Sequence, residues 1–526
     1  MSELVHDFIF HATARTPRAP ALAYGAQRLD YAALAQAVDN AAQVLLCAGI
    51  GRAERVAVYL EKRIENVAAC FGAAFAGAVF VPVNPLLKPD QVAYILADCN
   101  VRVLVTSAER LRLLAPALTG CPDLHTVLVT GAGGPLPAVD GIAVLAWEQP
   151  AAAPSAPHRV IDTDMAAILY TSGSTGKPKG VVLSHRNLTA GAISVAGYLE
   201  LTPQDRVLAV LPLSFDYGLS QLTSAFHAGA CVVLINYLFP RDIVKAVADE
   251  AITGLAAVPP LWIQLAHLAW PAGCSLRYLT NSGGAMPLPT VAALRAALPD
   301  ASLYLMYGLT EAFRSTYLPP SELDRRPDSM GQAIPTAEVL VVRPDGTLCD
   351  DGEPGELVHR GALVALGYWN DPEKTAERFR PAPGQDPAMP IRDIAVWSGD
   401  TVLRDADGFL YFIGRSDDMI KVSGYRISPT EIEEALHAAQ LVAEVVAFGV
   451  AHPVLGQAIV LLAVAREGEP VTPAALLKEC QRRLPAYMVP AHIAIRSDAF
   501  PRNPNGKIDR KLLRQSYSTL FESPSP

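Results

Sequence analysis

Tyr170-Thr-Ser-Gly-Ser-Thr-Gly-Lys-Pro-Lys-Gly180 is the run that organises the reading of this chain. It places the hydroxyls of Thr171, Ser172, Ser174 and Thr175 beside Gly173 and Gly176 and follows them with Lys177 and Lys179. Glycines let several backbone N–H groups turn toward one point, and hydroxyl and ammonium groups add donors; a loop holds a polyphosphate in this way. Met165–Leu169 before the run and Val181–Leu183 after it are apolar, so it reads as a loop between two strands. A P-loop would need Gly-Lys followed by Ser or Thr. Here Pro178 follows Lys177, which removes the Mg²⁺-binding hydroxyl and blocks the helix that a P-loop starts. An ordinary flexible linker would seldom carry paired lysines between two apolar strands.

The bulk properties frame that loop. A chain of 526 residues, 51% hydrophobic and 18% charged, is long enough for two or three domains and buries a large core. A net charge of −9 argues against nucleic acid or an anionic membrane as main partner. Eight cysteines lie scattered without Cys-x-x-Cys pairs, the pattern of reduced thiols in a cytoplasmic protein with no zinc site. The N-terminus lacks the basic and apolar regions of a signal peptide. Asn66–Leu87 carries no charge, yet it is built of Ala and Gly and interrupted by Pro82 and Pro85. It reads as a buried helix turning into a buried strand, not as a membrane span.

Outward from the loop, strand-like runs (Arg55–Tyr59, Val79–Val83, Arg102–Thr106, Arg206–Leu211, Cys231–Ile235, Gly254–Val258) alternate with helix-like ones (Tyr31–Leu46, Pro89–Asp98, Arg241–Glu250, Thr290–Ala297). That alternation predicts doubly wound α/β layers. Thr130–His158, rich in Ala, Pro and Gly, reads as a surface loop. After Asp328, short strands with Asp-Gly turns predict a small β-rich unit, and from Asp417 onward a compact α+β piece follows.

Further motifs follow, and two of them, those at Asn281 and Leu305, come after short strands, at whose ends parallel α/β sheets bind ligands. They are Asn281-Ser-Gly-Gly-Ala, Leu305-Met-Tyr-Gly-Leu-Thr-Glu311, Ser398-Gly-Asp400, Gly414-Arg-Ser-Asp-Asp-Met-Ile-Lys421, Gly424-Tyr-Arg-Ile-Ser-Pro-Thr-Glu-Ile-Glu and Pro504-Asn-Gly-Lys-Ile-Asp509. With the Tyr170 loop, and in this order across essentially the whole chain, they resemble the adenylate-forming superfamily. That group contains acyl-CoA synthetases, adenylation domains of nonribosomal peptide synthesis and luciferases. At finer grain Val81-Pro-Val-Asn-Pro, Leu213-Ser-Phe-Asp-Tyr-Gly-Leu and Tyr307–Thr316 look like the exosortase A-associated AMP-forming ligases, with free-standing prolyl-carrier-protein ligases as near relatives.

The resemblance implies the fold: a large N-terminal domain (1–416) of two doubly wound α/β subdomains plus a small distorted β-barrel, and a small mobile α+β C-terminal domain (417–526). It also implies the parts. Ser172, Gly173, Ser174, Thr175 and Gly176, flanked by Thr171, Lys177 and Lys179, would hold the ATP phosphates. Ser282, Gly283 and Gly284 would lie along adenine, with Tyr307 stacked on it and Gly308 beside it. Thr310 would contact phosphate, and Glu311 would hold Mg²⁺, which prefers hard oxygen ligands beside phosphate. Asp400 would accept from the ribose hydroxyls, Arg415 would reach ribose and phosphate, and Asp417 would be the hinge. Lys507 would bridge substrate carboxylate and α-phosphate in the adenylation transition state. Lys421 and Gly424 would face the incoming thiol, on free CoA or on the phosphopantetheine of a free-standing acyl or peptidyl carrier protein.

The acid pocket implied by the same matching comprises Asp216, Tyr217, Ser220, Val258, Thr280, Met306, Arg314 and Ser315. This set is mostly small and polar, unlike a fatty-acyl tunnel. Amino-acid-activating members place Asp at the position of Asp216 to bind an α-ammonium group. A carboxylate in an apolar pocket is costly to desolvate without a partner, which favours a cationic substrate; alternatively Asp216 caps the next helix. Arg314 either pairs with an acidic or polar group of the substrate or folds outward to a surface acid. The expectation is therefore an ATP- and Mg²⁺-dependent ligase for a small carboxylic acid, an amino acid above all, acting with a separate carrier protein. The alternative is an acyl-CoA ligase for a small polar or short-chain acid.

Overall fold

The computed structural model describes residues 4–131, 134–148, 155–171, 177–386, 388–415, 419–439, 441–466, 471–498, 500–501 and 508–522. Two large sheets carry the architecture. The first has eight strands and a parallel centre running, in spatial order, Met165–Thr171, Val79–Pro82, Arg55–Tyr59, Val101–Ser107, Thr126–Thr130 and Ala143–Ala146. The second has nine, parallel from Ser302–Tyr307 through Tyr278–Asn281, Gly254–Ala257, Arg206–Ala209 and Cys231–Leu234 to Pro20–Tyr24. Strands buried on both faces need near-continuous apolar sequence, as in Val79–Pro82, Cys231–Leu234 and Gly254–Ala257, where every residue is buried.

Between the two sheets lie the helices Tyr31–Cys47, Ile64–Ala76, His185–Tyr198 and Asp216–Ala228. One core joins both sheets through them: Val56, Val58 and Leu169 of the first sheet share it with Leu22, Val207 and Val232 of the second. Close packing there uses small residues. A Cβ on Gly72 would lie 2.5 Å from the Ala41 methyl, so glycine at 72 lets the first two helices meet nearly backbone to backbone. The charge-free run from Asn66 is thus core, and among the described residues no helix is long and apolar enough to cross a membrane. The outer faces are covered by Pro89–Asp98 and Ala108–Leu114 on the first sheet and by Pro240–Asp249, Pro259–Ala266 and Leu288–Ala297 on the second.

The small β unit is a five-stranded antiparallel sheet of Ala337–Val342, Gly355–Gly361, Phe379–Pro381, Ile394–Arg404 and Leu410–Arg415. Sheet membership then changes. Ile420–Val422 belongs to a second five-stranded sheet with Tyr425–Ile427, Val442–His452, Gly456–Ala465 and His492–Arg496, backed by Pro429–His437 and Pro473–Arg483. All eight cysteines are free thiols.

One local reading changes. The surface loop expected over 130–158 contains a strand, Ala143–Ala146, paired parallel to Thr126–Thr130 at the sheet edge. A four-residue apolar run among Gly and Pro has little signal of its own; the neighbouring strand supplies the pairing that makes it β. The two strands expected on either side of the Tyr170 run are present and pair antiparallel, with Thr171 opposite Lys179.

Candidate active site

A cavity of about 520 Å³ opens where strands of both large sheets end and the C-terminal unit comes down on them. Val83, Val210, Val258, Ser282 and Gly308, each just past the end of a parallel strand, line it. Lys421, Gly424 and Glu431 line it from the C-terminal side.

Glu311 is buried in the short turn Thr310–Ala312. Its Oε1 accepts from the Tyr368 hydroxyl at 2.7 Å, and Lys179 Nζ lies 3.4 Å away. Burial alone would push this carboxyl up, but Lys179, then Arg426 and Tyr368, outweigh it and hold the group ionised, at about 2. Lys179 is lowered as well, to about 8, by burial first and then by Arg426 and Arg378, against the pull of Glu311. Its ammonium also sits 3.8 Å from the centre of the Tyr368 ring. The two lysines of the Tyr170 run therefore separate. Lys179 enters the site, whereas Lys177 is exposed and lies 5.7 Å from the Tyr94 ring.

Tyr307 donates to Asp400 Oδ2 at 2.5 Å, which fixes the ring across the cavity wall. Beneath it the ring of His359 lies near-parallel at 6.0 Å, kept neutral by burial at about 3. Asp400 is paired across the strands with the backbone of Arg415. Thr171, Thr310, Gly308, Ser282 and Gly283 line the cavity with it, while Gly284 closes the turn by accepting from the Asn281 side chain at 3.0 Å. Ser172, Gly173, Ser174, Thr175, Gly176, Asp417 and Lys507, together with the Arg415 side chain, lie outside the described residues.

At the acid end the structure departs from the sequence reading. Arg314 neither folds outward nor stands open: it is buried, 2% exposed, with Nη2 3.4 Å from Asp216 Oδ2 and Nη1 3.2 Å from Ser282 Oγ. Its guanidinium carbon lies 4.4 Å from the centre of the Tyr217 ring. Asp216 therefore has a cation from its own chain, and the premise of an unpartnered carboxylate is replaced by a buried pair. Asp216 also lies in the first turn of Asp216–Ala228, where the helix N-terminus favours negative charge. Burial still pushes its carboxyl up, against the lowering by Arg314 and by the Tyr217 N–H, with Glu311 adding to the rise. Val258 lines the cavity with Asp216 and Arg314. Tyr217, Ser220, Thr280, Met306 and Ser315 are buried outside its wall; Tyr217 and Thr280 share a hydrogen bond of 2.5 Å, and Met306 Sδ accepts from Tyr198 at 2.9 Å.

The C-terminal unit reaches the site through a two-residue turn, Ser423-Gly424, joining Ile420–Val422 to Tyr425–Ile427. Both turn residues have positive φ (+50° and +85°), the arrangement that matches strand twist in tight hairpins. Glycine is needed at 424 twice over, since a Cβ there would also lie 2.7 Å from Val258 Cγ1. Nearby, Gln91 donates to Glu431 Oε1 at 3.0 Å across the two units.

Sequence reasoning missed Tyr368, Arg426 and Glu431. Arg426 and Glu431 belong to the quoted Gly424 motif, and the unused signal for Tyr368 was Gly-Tyr-Trp-Asn at 367–370, aromatic residues on a turn.

Residues 9–369 match the family of AMP-binding enzymes and residues 431–507 the AMP-binding enzyme C-terminal domain. The chain is 31% identical over 522 residues to an L-proline–[L-prolyl-carrier protein] ligase of Pseudomonas fluorescens, covering 97% of this chain and 99% of that protein. It is 33% identical over 499 residues to a sulfoacetate–CoA ligase of Cupriavidus necator, covering 93% and 92%. It is 30% identical to tyrocidine synthase 3 of Brevibacillus parabrevis over its whole length but spans only 8% of that protein. Among solved structures, o-succinylbenzoate CoA synthetase of Bacillus subtilis superposes with a TM-score of 0.83 at 25% identity, covering 97% of this chain and 98% of that one.

Proposed function

The chain belongs to the family of AMP-binding enzymes, and from that premise we propose that it is an AMP-forming ligase that joins a small carboxylic acid, an amino acid, to the phosphopantetheine thiol of a separate carrier protein. The observation that carries the reading is the ionised, buried Glu311, which has Lys179 beside it and lines one cavity with the Tyr307–Asp400 pair and the Asp216–Arg314 pair.

In this reading ATP lies with adenine against Tyr307 and ribose on Asp400, and its phosphates reach toward Lys179 and the loop 172–176. Glu311 suits Mg²⁺: it is a hard, fully ionised oxygen donor, and the described residues offer no cluster of three acidic, His or Cys ligands, so the remaining ligands would come from phosphate and water. Bound there, Mg²⁺ supplies neutralisation of the phosphate charge. The substrate carboxylate attacks the α-phosphorus and pyrophosphate leaves, with Lys507 stabilising the charge that develops. In the second half-reaction the thiol attacks the acyl carbon and AMP leaves, with Gly424 and Lys421 at the thiol's entrance. A rotation of the C-terminal unit about Asp417 would exchange Lys507 for that turn.

Asp216 supports the amino-acid reading because Arg314 alone does not offset its burial; a substrate ammonium would complete the compensation. A second reading, an acyl-CoA ligase for a small polar acid, draws on the internal cation that Arg314 already gives Asp216, and on the likeness to the sulfoacetate–CoA ligase.

Pyrophosphate exchange with paired acids, with and without the α-amine, followed by thioester assays with CoA and with a phosphopantetheinylated carrier protein, tests both. Asp216→Ala should lose exchange with the amino acid and tolerate the amine-free analogue better. Amine-free acids activated best, with Asp216→Ala changing little, would replace the first reading by the second.

A further inference from the structure

The polypeptide goes to some trouble to turn Arg314 inward. Phe313 has φ +48°, a left-handed conformation that bulky residues avoid, and the Arg314 N–H closes a tight turn onto the Ala312 carbonyl at 2.6 Å. Such strain persists where the surroundings enforce it, and it clusters at functional sites. Two glycines accommodate the result. A Cβ on Gly191 would lie 2.7 Å from Phe313 Cδ1, and one on Gly308 would lie 3.1 Å from Arg314 Cα and 3.6 Å from Nη1.

The contacts that the guanidinium then makes are weak for so much preparation. A structural Arg–carboxylate pair is commonly bidentate at about 2.7–2.9 Å. Among the described residues Arg314 has one polar contact to Asp216 at 3.4 Å and one to Ser282 at 3.2 Å, and its buried Nε has no acceptor. The planar fork that distinguishes arginine from lysine lies 4.4 Å from the centre of the Tyr217 ring and is only partly used by these bonds. Both Asp216 and Arg314 line the cavity, whereas Tyr217, Ser220, Thr280, Met306 and Ser315 are shut off from it. The cavity wall thus carries a carboxylate and a guanidinium side by side.

Charge balance decides what that acid carries. A substrate ammonium placed against Asp216 also lies beside the Arg314 cation, a like-charge contact that a poorly hydrated site penalises. An anionic group on the same substrate, set against the fork of Arg314, restores alternation: ammonium, Asp216, guanidinium, anion.

Building on the amino-acid reading above, we propose that Arg314 is the specificity-determining residue and that the acid activated is an amino acid with a short acidic side chain. Asp216 takes the α-ammonium and Arg314 the side-chain anion.

The test is ATP–pyrophosphate exchange by the full-length enzyme with aspartate and glutamate, their amides asparagine and glutamine, alanine, and the amine-free succinate and glutarate. Wild-type enzyme should favour an acidic amino acid over its amide isostere by about 10²-fold in kcat/KM, the scale set by removing one partner of a buried charge pair. Arg314→Leu should erase that preference and improve alanine. Arg314→Lys, which keeps the charge and loses the fork, should retain a fraction of it and covers the case in which the leucine variant fails to fold. A wild-type enzyme that activates neutral amino acids as well as acidic ones overturns this proposal and leaves the amino-acid reading standing. Succinate or glutarate preferred over every amino acid overturns both. Exchange with none of the acidic amino acids also overturns the proposal.

Discussion

Replacing Gly424 by alanine separates the two half-reactions, because the added methyl costs energy in two distinguishable ways. The first is local: Gly424 holds φ +85° in the Ser423-Gly424 turn, and an L-residue in the left-handed region costs about 1–2 kcal/mol wherever the C-terminal unit sits. The second exists only when that unit is docked as seen here. The new Cβ would stand 2.7, 3.0 and 3.2 Å from Cγ1, Cβ and Cγ2 of Val258, closer than carbon atoms approach, and overpacking of this kind costs about 1–3 kcal/mol. Only the second contribution should fall on thioester formation alone. At about 1.4 kcal/mol per factor of ten, the transfer of a preformed acyl-adenylate to the thiol should slow about 10- to 100-fold, while pyrophosphate exchange stays within about twofold. Single-turnover rates of each half-reaction give both numbers. Val258→Ala removes the atoms at 2.7 and 3.2 Å, so the double variant, referred to Val258→Ala alone, should recover most of the transfer rate. An equal loss in both half-reactions would refute the reasoning, and so would a double variant no faster than Gly424→Ala.

Lys507→Ala should cut adenylate formation by about 10²–10³-fold with ATP still bound and with transfer from preformed adenylate intact; equal losses in the two steps would show that its role is misassigned. Glu431 gives the docked arrangement a pH dependence. Burial, opposed by the Gln91 hydrogen bond and aided by Glu434, raises its carboxyl from 4.5 to about 7. To the extent that the other unit buries it, as the Gln91 bond shows it does in part, docking favours the protonated carboxyl and weakens as pH rises through about 7. The separation of fluorescent labels on the two units should widen across that window in wild type and stay constant in Glu431→Gln; matching profiles would remove Glu431 from this role.

What could be read from sequence followed the range of the interactions. Strands such as Arg55–Tyr59 and the helix Pro89–Asp98 have the bounds that local pattern predicts, because buried β runs and a proline-initiated helix carry their signal within a few residues. Glu311, Asp400 and Tyr307 were legible as motif members, and the structure brings Tyr307 and Asp400 into contact across 93 positions. The Asp216–Arg314 pair was not legible as a pair. It spans 98 positions and depends on the backbone of Phe313, whose positive φ has no signature in a Phe codon. Ala143–Ala146 was missed for the related reason that an edge strand is β by virtue of its neighbour.

The place of Pro20–Tyr24 in the second sheet has a consequence for biosynthesis. Leu22 pairs with Val232, so this early strand must wait for roughly 200 more residues to leave the ribosome before its neighbour exists, about 10–40 s at ordinary elongation rates. Throughout that interval Ala21, Leu22 and Ala23, which end fully buried, are exposed on the nascent chain beside an unpaired strand edge. Sheet closure is in this sense a late, long-range event.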